Sequence, residues 1–136
     1  ISFEMIPQEL LSTLNLENAS DEYILFIISV AFVIGCMFVD SIVVLLILIP
    51  VFMPIIDSSG IDPVLVGVVV TLQMAIGSAT PPFGCDIFTA IAVFKKSYLE
   101  VVRGIFPFFL ILMLMSAILI FFPDSALFLR DIAFDK

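Results

Sequence analysis

Apolar positions in this chain come in long, nearly uninterrupted runs, at residues 23–39, 41–56, 63–84 and 105–122, separated by short polar stretches. Soluble helices show an apolar stripe with a polar opposite face, whereas runs of this length without charge read as membrane segments. Residues 1–22 differ. From Pro7 onward Gln8, Glu9, Leu10, Leu11, Leu14 and Leu16 alternate in a helix-compatible way before a polar stretch at 17–22, which predicts a connecting amphipathic helix lying along the membrane interface. The frayed loop end of a preceding membrane helix is the alternative for this segment.

Residues 23–56 are apolar for about 34 positions, interrupted only around 35–41. One straight helix of that length would reach about 51 Å, against a hydrocarbon core of about 30 Å, so the run must break. Two full spans would leave Asp40 and Ser41 as the whole aqueous loop. A re-entrant helical hairpin, which keeps its polar tip inside protein, is the favoured reading. Pro50 and Pro54 fall in its second arm and bend it near the exit. The polar turn at 57–63 carries Gly60, which permits positive φ, and Pro63, suited to the first helical position.

The next run is also too long, and its middle reads Gly77-Ser78-Ala79-Thr80-Pro81-Pro82-Phe83-Gly84. Two prolines remove two backbone donors and the flanking glycines ease non-helical backbone. The expectation is a transmembrane helix over 64–94, discontinuous at 77–84, with half-helices near 64–76 and 85–94. A last transmembrane helix is expected over 105–122.

Charge then sets orientation. Lys95, Lys96 and Arg103, three of the five basic residues, fall in one expected loop at 95–104, which the positive-inside rule makes cytoplasmic. The turn at 57–63 and the acidic tail at 123–136 are then periplasmic. The fold class expected is all-α integral membrane protein. Composition agrees: 62% of residues are hydrophobic, 13% are charged and mean hydropathy is +1.31. The net charge of −8 sits in segments between apolar runs, and no basic surface for nucleic acid exists.

There is no His, and Cys36 and Cys85 lie in apolar runs far apart, so neither a transition-metal site nor a disulfide framework is argued; both are expected to be small buried residues. With no His base, no nucleophile elbow and no phosphate-cradling loop, an enzyme is rejected and no catalytic residue is assigned. Met113, Met115, Phe108 and Phe109 are assigned to packing or to lipid. The chain opens on Ile1, and it is expected to be a piece of a longer polypeptide.

Two consecutive breaks carry the functional signal, because irregular backbone at membrane depth is tolerated where it lines a polar cavity. In secondary transporters such breaks turn carbonyls toward cations and helix N-termini toward anions. The hairpin tip and the crossover would together gather free carbonyls, the hydroxyls of Ser41, Ser78 and Thr80, and two helix N-termini. Asp40 and Asp86 are the acids expected inside the membrane. For Asp40, N-capping of the second arm and ligand orientation rank above direct cation binding; for Asp86, helix-dipole pairing and ligand contact stay open.

The ordered series Gly35-Cys36-Met37-Phe38-Val39-Asp40, Leu48-Ile49-Pro50-Val51-Phe52-Met53-Pro54, Gly60-Ile61-Asp62-Pro63, Ala75-Ile76-Gly77, Thr80-Pro81-Pro82-Phe83-Gly84, Tyr98-Leu99-Glu100-Val101-Val102-Arg103 and Pro107-Phe108 resembles the C-terminal portion of the large membrane subunit of TRAP transporters, the DctM-like permeases of the ion-transporter superfamily. The resemblance implies a tripartite, sodium-coupled secondary transporter of the bacterial inner membrane. It would import a small organic acid, such as a C4-dicarboxylate or sialic acid, with a small DctQ-like membrane subunit and a periplasmic DctP-like binding protein as partners. It also implies inverted repeats and an elevator movement, this chain supplying the second repeat's hairpin and broken helix. By the same resemblance, Na+ is the coupling ion and no other cofactor is implied; the cation region maps to Gly35, Asp40, Ser41, Gly77 and Thr80, and substrate-site candidates are Ser78, Thr80, Pro81, Pro82, Gly84 and Asp86. One departure stands out: Asp86 stands where the family often has Asn after the Pro-Pro-x-Gly segment, which puts local cation or substrate preference in question. Two rivals are a sodium:dicarboxylate symporter working without a binding protein and a purely structural membrane subunit.

Overall fold

The structure, a computed structural model, describes residues 12–13 and 19–134. The amphipathic helix expected before residue 19 lies largely outside the described residues. Among the described residues all regular structure is helical: α1 Asp21–Phe38, α2 Ser41–Ser59, α3 Pro63–Ser78, α4 Cys85–Phe94, α5 Tyr98–Phe121 and α6 Pro123–Phe134.

Each boundary has a local cause. Asp21 and Glu22 place negative charge on the first turn of α1, where the helix dipole favours it. Between α1 and α2 only Val39 and Asp40 are non-helical, and Asp40 Oδ1 accepts a 2.9 Å hydrogen bond from the Ile42 N–H, capping α2. At the far end of α2 the Ser58 and Ser59 hydroxyls donate to the Ile55 and Ile56 carbonyls, and Gly60 at φ 74° turns the chain. Asp62 then caps α3 at the Val64 N–H (2.8 Å), with Pro63 in the first turn.

The core forms where α1 packs on α3. From α1 it takes Leu25, Ile28, Phe32 and Cys36, spaced three or four apart on one face; from α3 it takes Leu65, Val66, Val69, Val70, Gln73 and Ile76. α2 adds Val44, Phe52, Ile55 and Ile56. Deep in this interface Gly77 is indispensable. A Cβ there would stand 2.6 Å from Cys36 Cβ and 2.8 Å from the Val33 carbonyl oxygen, so the two backbones meet with no room for a side chain. Most other large apolar side chains face outward, among them Phe26, Ile34, Leu46, Phe106, Ile111 and Leu114, which suits a bundle surrounded by lipid or further protein. α1, α2 and α5 are each long and apolar enough to cross a membrane.

Several boundaries differ from expectation. α5 begins at Tyr98, seven residues before the expected 105, leaving only 95–97 between helices. The cause is a capping box: Ser97 Oγ accepts from the Glu100 N–H while the Glu100 carboxylate accepts from the Ser97 N–H. The expected tail at 123–136 is helical as α6 up to Phe134. Cys36 is buried as expected, but Cys85 is exposed, because the face of α4 that carries it turns away from the core and only Ile87 of that helix is buried.

Candidate functional site

The break between α3 and α4 is narrower than the sequence suggested. Gly77 and Ser78 remain helical, and the non-helical segment is 79–84. Helix α3 persists because Thr80 stays tied to it: its N–H donates to the Gly77 carbonyl and its hydroxyl donates to the Ile76 carbonyl. Pro81 then has no N–H to continue the ladder and disfavours helical backbone at Thr80. The Pro81–Pro82 peptide bond is cis. Gly84 closes the loop: its N–H donates to the Thr80 carbonyl at 3.1 Å, and any Cβ at this position would collide with the carbonyls of Ser78 and Thr80.

The tip between α1 and α2 is seated against this break. Gly77 meets Val33 and Cys36 at the end of α1, and the Phe38 and Phe83 rings lie 5.7 Å apart between centroids. Gly35 is also closely approached, since a Cβ there would stand 2.8 Å from a Val44 side-chain methyl on the other arm. Gly35, Asp40 and Ser41 therefore belong to the element that rests on the one carrying Gly77, Ser78 and Thr80. Ser41, Ser78 and Thr80 are half-buried, Gly84 is buried, and Asp40, Pro81, Pro82 and Asp86 are exposed.

The two carboxylates are used differently. Asp40 caps α2, whereas Asp86 sits in the first turn of α4 and accepts a 2.6 Å hydrogen bond from the Ser78 hydroxyl, which bridges the break from one half-helix to the other. Ser78 Oγ also lies 3.1 Å from the Ala75 carbonyl; its single proton is best placed on the shorter, charged acceptor. From below, the Tyr98 hydroxyl donates to the Pro82 carbonyl at 3.3 Å, so the start of α5 holds the crossing loop.

Sequence reasoning missed a polar contact elsewhere. Gln73, 2% exposed, donates to the Ser116 hydroxyl and pins α3 to α5, and the buried Ser29 hydroxyl, lining the same cavity as both, has no partner among the described residues. These three, with Ser20, Glu22 and Tyr23 at the start of α1, line a mainly apolar cavity of about 510 Å³ between α1, α3 and α5 that includes none of the tip or break residues. The available signal was Gln73 itself, a lone amide inside the run at 63–84.

Apolar helices of membrane-spanning length, together with a helix broken at paired prolines, define an α-helical membrane protein. The chain belongs to the DctM family: the model of the Tripartite ATP-independent periplasmic transporter, DctM component, matches residues 1–125. It is 62% identical, over its whole length, to the ectoine/5-hydroxyectoine TRAP transporter large permease protein of Ruegeria pomeroyi, covering 32% of that protein. It is 59% identical over 98% of its length to the ectoine TRAP transporter large permease protein of Halomonas elongata, covering 31% of it. The C4-dicarboxylate TRAP transporter large permease protein of Pseudomonas aeruginosa is 30% identical over 96% of the chain and is 31% covered. The chain thus spans about a third of the length of these relatives. No solved structure matches it.

Proposed function

We propose that this chain is the part of a TRAP large permease that carries one hairpin and one broken helix of a sodium-coupled import site, and that the substrate is ectoine or 5-hydroxyectoine. The whole-length identity of 62% to a permease of that name carries the substrate assignment. It replaces the broader expectation of a dicarboxylate or sialic acid. Ectoine is a cyclic amidine bearing a carboxylate, hence a zwitterion at neutral pH.

On this reading α1 and α2 form a re-entrant hairpin. Helices α3 and α4, of 16 and 10 residues, measure about 24 and about 15 Å. α5, of 24 residues and about 36 Å, packs along both, which suits two half-helices stacked end to end across the membrane. The hairpin tip packs against the break, and contact at that level supports a tip that stops inside the membrane. The Lys95 and Lys96 loop then faces the cytoplasm, and the α2–α3 turn and α6 face the periplasm of the inner membrane. Sodium is met by oxygens of the tip and break, including those around Gly35, Ser41, Gly77 and Thr80. The substrate lies against Ser78, the crossing loop and the N-terminus of α4. A small DctQ-like subunit and a periplasmic DctP-like binding protein complete the system, and an elevator movement of the hairpin and broken helix carries the substrate across.

The test is uptake of labelled ectoine by proteoliposomes holding the full-length permease and its small subunit, with substrate-loaded binding protein outside. Accumulation that needs an inward sodium gradient and the binding protein is expected. Accumulation without the binding protein would favour a symporter that works alone, and none under any cation gradient would reject the substrate.

A further inference from the structure

Asp86 is a carboxylate with most of its bonding capacity unspent. Asp40 accepts from a backbone N–H of the helix it caps, whereas the hydrogen bond to Asp86 among the described residues comes from the Ser78 side chain across the break. An ionised carboxylate has about four acceptor positions, so roughly three remain open. No basic side chain pairs with it among the described residues; the first one along the chain is Lys95, nine residues on at the C-cap of α4, about 14 Å away along the axis. A carboxylate at membrane depth without a counter-ion is costly, and the N-terminus of α4 offsets only part of that cost.

Ser78 holds Oδ2, which ties the carboxylate to the end of α3, and Oδ1 of this exposed side chain keeps its acceptor positions. That is an arrangement for a planar cation that donates N–H groups to a carboxylate, whose charge-assisted bonds are roughly twice as strong as neutral ones. A bare alkali ion would instead need several oxygens closing around it, and Asp86 stands exposed with one hydroxyl bonded to it. We propose that Asp86 is the specificity-determining counter-ion for the cationic, amidinium end of a zwitterionic substrate, with Ser78 as its positioning residue. The assignment rests on the ectoine reading and deepens it.

The experiment compares wild type with Asp86→Asn in the full-length permease, reconstituted with its small subunit and supplied with saturating ectoine-loaded binding protein. Asn keeps the shape and an acceptor for Ser78 but removes the charge. The uptake rate is expected to fall by about tenfold or more, the scale of a lost hydrogen bond to a charged group, while the sodium concentration for half-maximal rate stays within about twofold. An unchanged rate would overturn the proposal. So would a raised sodium requirement with an unchanged maximal rate, which would place Asp86 among the cation ligands. Failure of wild type to import ectoine would reject the substrate reading itself, separately from the variant. If Asp86→Asn does not accumulate, Ser78→Ala decides: it keeps the charge and removes the positioning hydroxyl, so the uptake rate should fall while the sodium concentration for half-maximal rate stays within about twofold, and an unchanged rate would overturn the assignment.

Discussion

Gly67 and Gly77 lie on the same helix, and the structure gives them opposite roles. At Gly77 an added methyl would stand 2.6 Å from Cys36 Cβ and 2.8 Å from the Val33 carbonyl, where carbon atoms normally pack at about 3.5–4.0 Å. Neither neighbour can swing away, since one is a backbone oxygen of α1 and the other a Cβ attached to it. Gly77→Ala therefore forces α1 and α3 apart by about 1 Å along a buried face containing Phe32, Val69, Val70 and Ile76. Overpacking of this kind costs about 1–3 kcal/mol. At Gly67 nothing lies within 4 Å of an added Cβ, and alanine in a helix interior is favoured over glycine by roughly 0.5–1 kcal/mol. Thermal unfolding of the full-length permease in detergent should show Gly77→Ala well below wild type and Gly67→Ala at or above it. Because the Gly77 contact also seats the hairpin tip on the break, Gly77→Ala should need more sodium for half-maximal uptake. A Gly77→Ala protein as stable as wild type would refute the close packing of α1 on α3.

Asp40→Ala removes the cap of α2 and should cost about 0.5–2 kcal/mol, whereas Asp40→Asn keeps an acceptor for the Ile42 N–H and should restore both stability and sodium-dependent uptake. Loss of sodium dependence in the Asn variant, measured in proteoliposomes, would make the charge itself a cation ligand. Ser116→Ala strands the buried Gln73 amide and should lower stability by about 1 kcal/mol, within the range of interhelical hydrogen bonds in membranes. Adding Gln73→Leu to it should recover part of the loss in the same unfolding assay, because the unpaired group is then gone.

The gross plan was legible because membrane segments announce themselves by length of apolar run, and because prolines and glycines at the break have few other uses. Asp40 as a cap was readable for the same local reason, standing just before an apolar run. What the runs concealed was set by packing or by side-chain reach. Helix α5 starts at Tyr98 through a reciprocal Ser97 and Glu100 cap inside a stretch whose basic charge suggested a loop. Ser78 stays helical although it borders the prolines, since the unwinding starts only after the turn that Thr80 closes on α3. The Gln73 and Ser116 pair is 43 residues apart in sequence, and only the antiparallel return of α5 brings it together. Gly77 was singled out for flexibility, yet its use is a close helix–helix approach within regular helix.

The central claim is that the hairpin tip and the broken helix together form a site organised by sodium. Its most direct test is thermal unfolding of the full-length, detergent-solubilised permease across a sodium titration, with potassium holding ionic strength constant. A saturable, sodium-specific rise in midpoint is expected, since an ion that binds only the native state stabilises it by RT ln(1 + [Na+]/Kd), and Thr80→Ala should shift the titration to higher sodium. Identical midpoints in sodium and potassium throughout the titration would contradict it.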